Sequence, residues 1–91
     1  MRPGPRWMTK SDDAILQVLA DTGAALDLKA LEVNCHMFHD RIHYNTAKRR
    51  VPMLLEAGLI ERLEMNERFV RITDDGRAYL NGEFTPPDLD D

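Results

Sequence analysis

Ninety-one residues, 43% of them hydrophobic, allow one small domain with a single modest core and exclude two. No apolar run approaches the ~18 residues of a membrane span, and the start "MRPGPRWMTK" lacks the apolar stretch of a signal peptide. The single cysteine, Cys35, excludes an internal disulfide, so a cytoplasmic setting is expected; the preference for Asp over Glu and Arg over Lys suggests a salt-adapted one. The formal net charge of -4 is unevenly spread. Residues 36–50 carry Arg41, Lys48, Arg49 and Arg50 against Asp40 alone, whereas residues 83–91 carry four carboxylates and no cation. Such polarity suits a one-sided polyanion-binding surface; a solvated helix face is the plainer reading.

In chain order, residues 1–10 read as an extended basic arm, because Pro3 and Pro5 disfavour helix and Arg2 and Arg6 bring charge. "SDDAILQVLADTG" predicts a first helix capped by Ser11, acidic in its first turn and stopped by Gly23, with Ile15, Leu16, Val18 and Leu19 on its apolar face. "LDLKALEVN" predicts a shorter second helix with Leu28, Leu31 and Val33 inward. "CHMFHDRIH" has no clean period and reads as an irregular connection in which Phe38 and Ile42 plug the core.

A third helix is expected over residues 43–57, ending at Gly58, with Ala47, Val51 and Leu54 on its buried side. Asn45 and Arg49, one turn apart, fall on the opposite side with Thr46 and Lys48 at its edges, while Arg50 lies nearer the buried flank. Pro52 falls on the outer side, so the pattern continuing through Leu54 and Leu55 implies a kinked helix rather than an end. "LIERLEM" and "RFVRIT" alternate and predict a hairpin with Leu63 opposite Val70; Asn66-Glu67 is weak turn chemistry, and a wider loop is the alternative. Thr73 caps a short last helix, "DDGRAYLN", and residues 83–91 read as an acidic flexible tail.

The order is that of an α+β winged helix-turn-helix: three helices, a two-stranded β-hairpin wing and a short C-terminal helix, with the domain over residues 11–82. "HYNTAKRR" then carries the chemistry. Asn pairs bidentately with adenine and Arg with guanine, and Thr serves bases or phosphates. The predicted DNA-binding set is Arg41, His43, Tyr44, Asn45, Thr46, Lys48, Arg49 and Arg50, joined by Asn66, Arg68 and Arg71 of the hairpin. Arg50, nearer the buried flank, has two readings, as a brace for a carboxylate or as a phosphate contact rather than a base contact.

Residues 7–83 also resemble the small haloarchaeal winged-helix regulators similar to phage repressors, through "RWMTKSDDAIL", "LEVN", "TAKRRVPMLLEAGLIE" and "RITDDGRAYLNGEF". The resemblance implies a transcriptional regulator, commonly dimeric, whose third helix enters the major groove. The histidine-rich "CHMFHDR" departs from that pattern. Double-stranded DNA and a second copy of the chain are thus the expected partners, with Trp7 and the first and last helices as the expected dimer surface. The alternative is a winged-helix module that binds protein in a larger complex.

Cys35, His36, His39 and His43 carry metal-ligating atoms, but their spacing matches no zinc signature and lacks a CxxC pair, so no cofactor or metal is assigned. There is no Gly-rich phosphate loop, nucleophile elbow or carboxylate pair with a histidine partner, so no enzyme is expected.

Overall fold

Helix α1 (Lys10–Thr22) starts where two orphan amides find carboxylate and hydroxyl partners. Thr9 Oγ1 accepts from Asp12 N–H, and the Asp12 carboxylate accepts from Thr9 N–H at 2.8 Å, a reciprocal capping box. The cap is therefore Thr9, two residues before the expected Ser11, which lies inside the first turn. The computed structural model describes residues 5–89. Gly23 ends α1 at φ 63°, a left-handed geometry that favours glycine, and donates to Leu19 O.

Helix α2 (Leu28–Phe38) is capped by Asp27, whose side chain accepts from Ala30 N–H at 2.9 Å. It runs a full turn beyond the expected second helix and takes in residues 35–38, leaving only residues 39–43 as the connection to the next helix. Cys35, one turn after buried Leu31, is itself buried and continues the core stripe. Val33, Met37 and Phe38 are exposed, contrary to the inward placement expected for Val33 and Phe38. Apolar residues on the wet face mask the helical period here. Ile42 does plug the core.

Helix α3 (Tyr44–Glu56) buries Ala47, Val51 and Leu54 in the core shared with α1 and α2. His43 occupies its N-cap without a side-chain bond; Glu32 of α2 instead accepts from Tyr44 N–H at 3.0 Å. The helix continues through Pro52, which is exposed, so water can reach the Lys48 carbonyl that proline cannot serve. Gly58, at φ 76°, then turns the chain into the wing.

Strands β1 (Ile60–Arg62) and β2 (Val70–Ile72) are antiparallel, with Ile60 opposite Ile72 and Arg62 opposite Val70. The expected pairing of Leu63 with Val70 is thus one residue out. Residues 63–69 form a wide tip, because Asn66-Glu67 has no glycine to close a two-residue turn. Leu26 bridges Val70 through two backbone bonds of 2.9 and 3.0 Å, tying the α1–α2 connection to the wing. Helix α4 (Asp74–Leu80) is capped by Thr73 and returns to α1, where the Tyr79 hydroxyl donates to Asp13 at 2.9 Å.

Both terminal expectations change within the described residues. Pro5 is buried, Met8 N–H donates to Pro5 O, and Lys10 is already helical, so residues 5–10 are not an extended arm. Phe84 and Leu89 pack against the core, Pro86 is buried, and the Trp7 indole donates to Pro87 O at 3.0 Å. Residues 83–89 therefore lie on the domain instead of trailing from it. The Arg2 and Pro3 part of the arm and the last two aspartates of the tail lie outside the described residues.

Candidate nucleic-acid interface

The outward face of α3 follows from the burial of its inner one. With Ala47, Val51 and Leu54 turned into the core, the 100° step per residue puts Asn45, Lys48, Arg49 and Pro52 in solvent. Arg41 and His43 before the helix and Tyr44 at its start are also exposed, and Thr46 is half-buried. Among the described residues, no side-chain hydrogen bond or ion pair engages Arg41, Asn45, Lys48 or Arg49. Three cations and an amide are thereby left in solvent with their hydrogen-bonding capacity open.

Arg50 is placed elsewhere. Its Nε and Nη2 donate to the two carboxylate oxygens of Asp12 at 2.9 and 2.8 Å, and Nη2 also donates to Trp7 O at 2.8 Å. The Asp12 side chain is fully buried, and the bonded carboxylate raises the Arg50 pKa above its ordinary value. Of its two readings, the brace is the one whose geometry is present; Arg50 offers no free fork to a phosphate.

The hairpin residues divide similarly. The Arg68 side chain is exposed and unpaired among the described residues, and Asn66 Oδ1 accepts from Arg68 N–H, shaping the tip. Arg71 is paired across the strands with Glu61 at 2.7 Å. That contact is solvent-exposed and can exchange for a phosphate at little cost.

Between α3 and the wing runs a groove of about 550 Å3 whose floor is Leu26, Leu28, Leu31, Val51 and Val70. Lys48 and Tyr44 line its helix side, Arg62 and Arg68 its wing side, and Lys29 its α2 end, with Asp27 and Glu67 as its carboxylates. Lys29 and Arg62 are absent from the set expected from sequence. Lys29 is a lone cation in an apolar stretch, and only the corrected hairpin register turns Arg62 toward α3. Lys29 pairs with Glu32 at 2.8 Å, which raises the lysine pKa and lowers that of the carboxylate. Arg62 donates to Glu67 O at 2.7 Å, a bond that leaves its charge uncompensated.

The metal-ligating residues do not converge. Cys35 is buried, with its thiol pushed up to about 11 by desolvation, while His36 is exposed and His39 contacts Asp21 at 3.2 Å. Among the described residues, no group of three or more His, Cys, Asp or Glu side chains could hold a metal ion.

Three helices with a hairpin folded against the third define a winged helix-turn-helix domain. The chain belongs to the winged helix-turn-helix phage repressor family, whose model matches residues 1–91. It is similar to the crystal structure of the PhiH1 repressor-like protein from Haloarcula marismortui, at 34% identity over 91% of this chain and 88% of that one, with a TM-score of 0.73. No curated protein matches the chain. Among the described residues, no helix is long and apolar enough to cross a membrane.

Proposed function

We propose that the protein is a sequence-specific, double-stranded DNA-binding transcriptional regulator that reads the major groove with α3 and acts as a repressor. The observation that carries this reading is the unpaired polar and cationic face of α3 beside a cation-lined groove. A helix that inserts into the major groove brings the backbone strand against the adjoining wing. On this reading the groove-lining Lys29, Lys48, Arg62 and Arg68 would meet phosphates, while exposed Asn45 and Arg49 would face the base edges. Family membership and the description of the Haloarcula marismortui relative as repressor-like support the same reading. The domain binds rather than catalyses, and its partner is DNA in the cytoplasm.

One such helix reads few base pairs, so a homodimer on a two-fold symmetric site is part of the proposal. Selection of bound sequences from a random duplex pool tests both parts. An enriched palindrome supports a dimeric regulator, and an enriched single half-site a monomeric one. No enrichment and no salt-dependent duplex binding would favour the protein-binding alternative. Against the selected site, Arg49→Ala and Asn45→Ala should each relax preference at one position by about 1–3 kcal/mol.

A further inference from the structure

Helix α3 must be held to a fraction of an ångström if it reads bases, yet most of what holds it is not directional. Ala47, Val51 and Leu54 hold the helix through apolar core contacts, which carry no hydrogen-bond direction. A turn of about 20° on a helix of roughly 5–6 Å radius moves the outer surface by about 2 Å. The useful range of a hydrogen bond is only ~0.5 Å. Among the described residues, Arg50 is the α3 side chain that hydrogen-bonds other elements, and it does so three times, to Asp12 of α1 and to Trp7 O.

We infer that Arg50 is a positioning residue for base recognition: clamped by Asp12 and the Trp7 carbonyl, it fixes the rotation of α3 about its axis. The inference rests on the proposed DNA-reading role of that helix. The clamp is stiff for three reasons. The guanidinium is planar and meets Asp12 as a fork, so two bonds define a plane instead of a point. Asp12 cannot yield, because Oδ2 also accepts from Thr9 N–H at 2.8 Å and Thr9 Oγ1 at 3.1 Å, which builds it into the α1 cap. The Trp7 carbonyl is held in turn, since the indole of the same residue is bonded to Pro87 O. A buried ion pair adds little net stability over an apolar pair of the same shape. Its directionality is what an apolar pair would lack.

The experiment uses the full chain and two variants, Asp12→Asn and Arg50→Lys, each assayed well below its own melting temperature. Asp12→Asn keeps an acceptor for the Thr9 cap but removes the charged fork partner; Arg50→Lys keeps the charge and removes the fork. Two quantities are read by fluorescence anisotropy: the ratio of affinities for the selected duplex and a scrambled one, and the dependence of scrambled-duplex binding on KCl. Positioning predicts that the ratio falls by roughly 5- to 150-fold, the worth of one bidentate base contact, in both variants. The salt slope stays at the wild-type value, because Arg50 contacts no phosphate.

Unchanged ratios with a lowered melting temperature would reduce Arg50 to a structural ion pair and overturn the inference. A steeper slope in Asp12→Asn would overturn it differently, by showing a freed Arg50 engaging the backbone. Should Asp12→Asn fail to fold, Arg50→Lys decides alone. A wild-type protein with no sequence preference at all would instead defeat the proposed function, and the inference with it.

Discussion

Replacing Lys29, Lys48, Arg62 and Arg68 together with glutamine tests whether the groove between α3 and the wing carries the DNA backbone. Each neutralised phosphate contributes about -0.9 to the slope of log affinity against log salt. If all four cations meet phosphates, removing them would flatten the slope by about 3.6, or by about 2.7 if Lys29 stays with Glu32. Between 50 and 200 mM salt, the wild type should then lose roughly 40- to 150-fold more affinity than the variant. All four side chains are exposed and none belongs to the core, so the melting temperature should barely move. Anisotropy titrations of a labelled duplex over a KCl series supply the slope. Lys10→Gln with Arg77→Gln, which lie outside the groove, remove two charges, half as many as the quadruple variant, and so scale the effect of net charge alone. A change below about one slope unit in the quadruple variant would show that phosphates do not pass through this groove.

Other consequences concern the scaffold. Gly76→Ala should lower the melting temperature, because a Cβ there would overlap the Leu59 carbonyl oxygen and come 2.6 Å from the Ile72 side chain. Overpacking of about 1–3 kcal/mol corresponds to a fall of about 4–8 °C per kcal/mol in a domain this size; an unchanged melting temperature would mean that α4 packs differently. Cys35, with its thiol pushed up to about 11, should resist iodoacetamide at pH 8 in the folded protein and react readily in denaturant. Fast labelling of the native protein would refute its burial. The Glu32 pKa is lowered first by Lys29 and then by the Tyr44 amide, so its contribution is complete above its ordinary value of 4.5 and is lost as pH falls through the lower folded value. Stability of Glu32→Gln should therefore depend less steeply on pH below 4.5 than that of the wild type, as acid titrations followed by circular dichroism would reveal.

The helices are legible in the sequence where apolar residues keep one period and glycines close the ends, as in α1 and α3. The polar face of α3 is legible for the same reason: once Ala47, Val51 and Leu54 are inward, helical geometry alone turns Asn45, Lys48 and Arg49 outward. Local chemistry determines these features, and local chemistry can be read from a string. In α2, exposed Val33, Met37 and Phe38 blur that period, and only packing distinguishes them from Leu31 and Cys35.

Tertiary structure decides whatever depends on partners distant in the chain. Arg50 meets Asp12 from 38 residues away, and Trp7 meets Pro87 from 80, separations that no periodicity reports. Arg62 faces α3 because the hairpin register runs Arg62 to Val70, and Lys29 joins the same groove because α2 packs across α3. A side chain's charge is a property of its residue. Whether that charge is spent on a buried carboxylate or left open to a ligand depends on which elements the fold brings beside it.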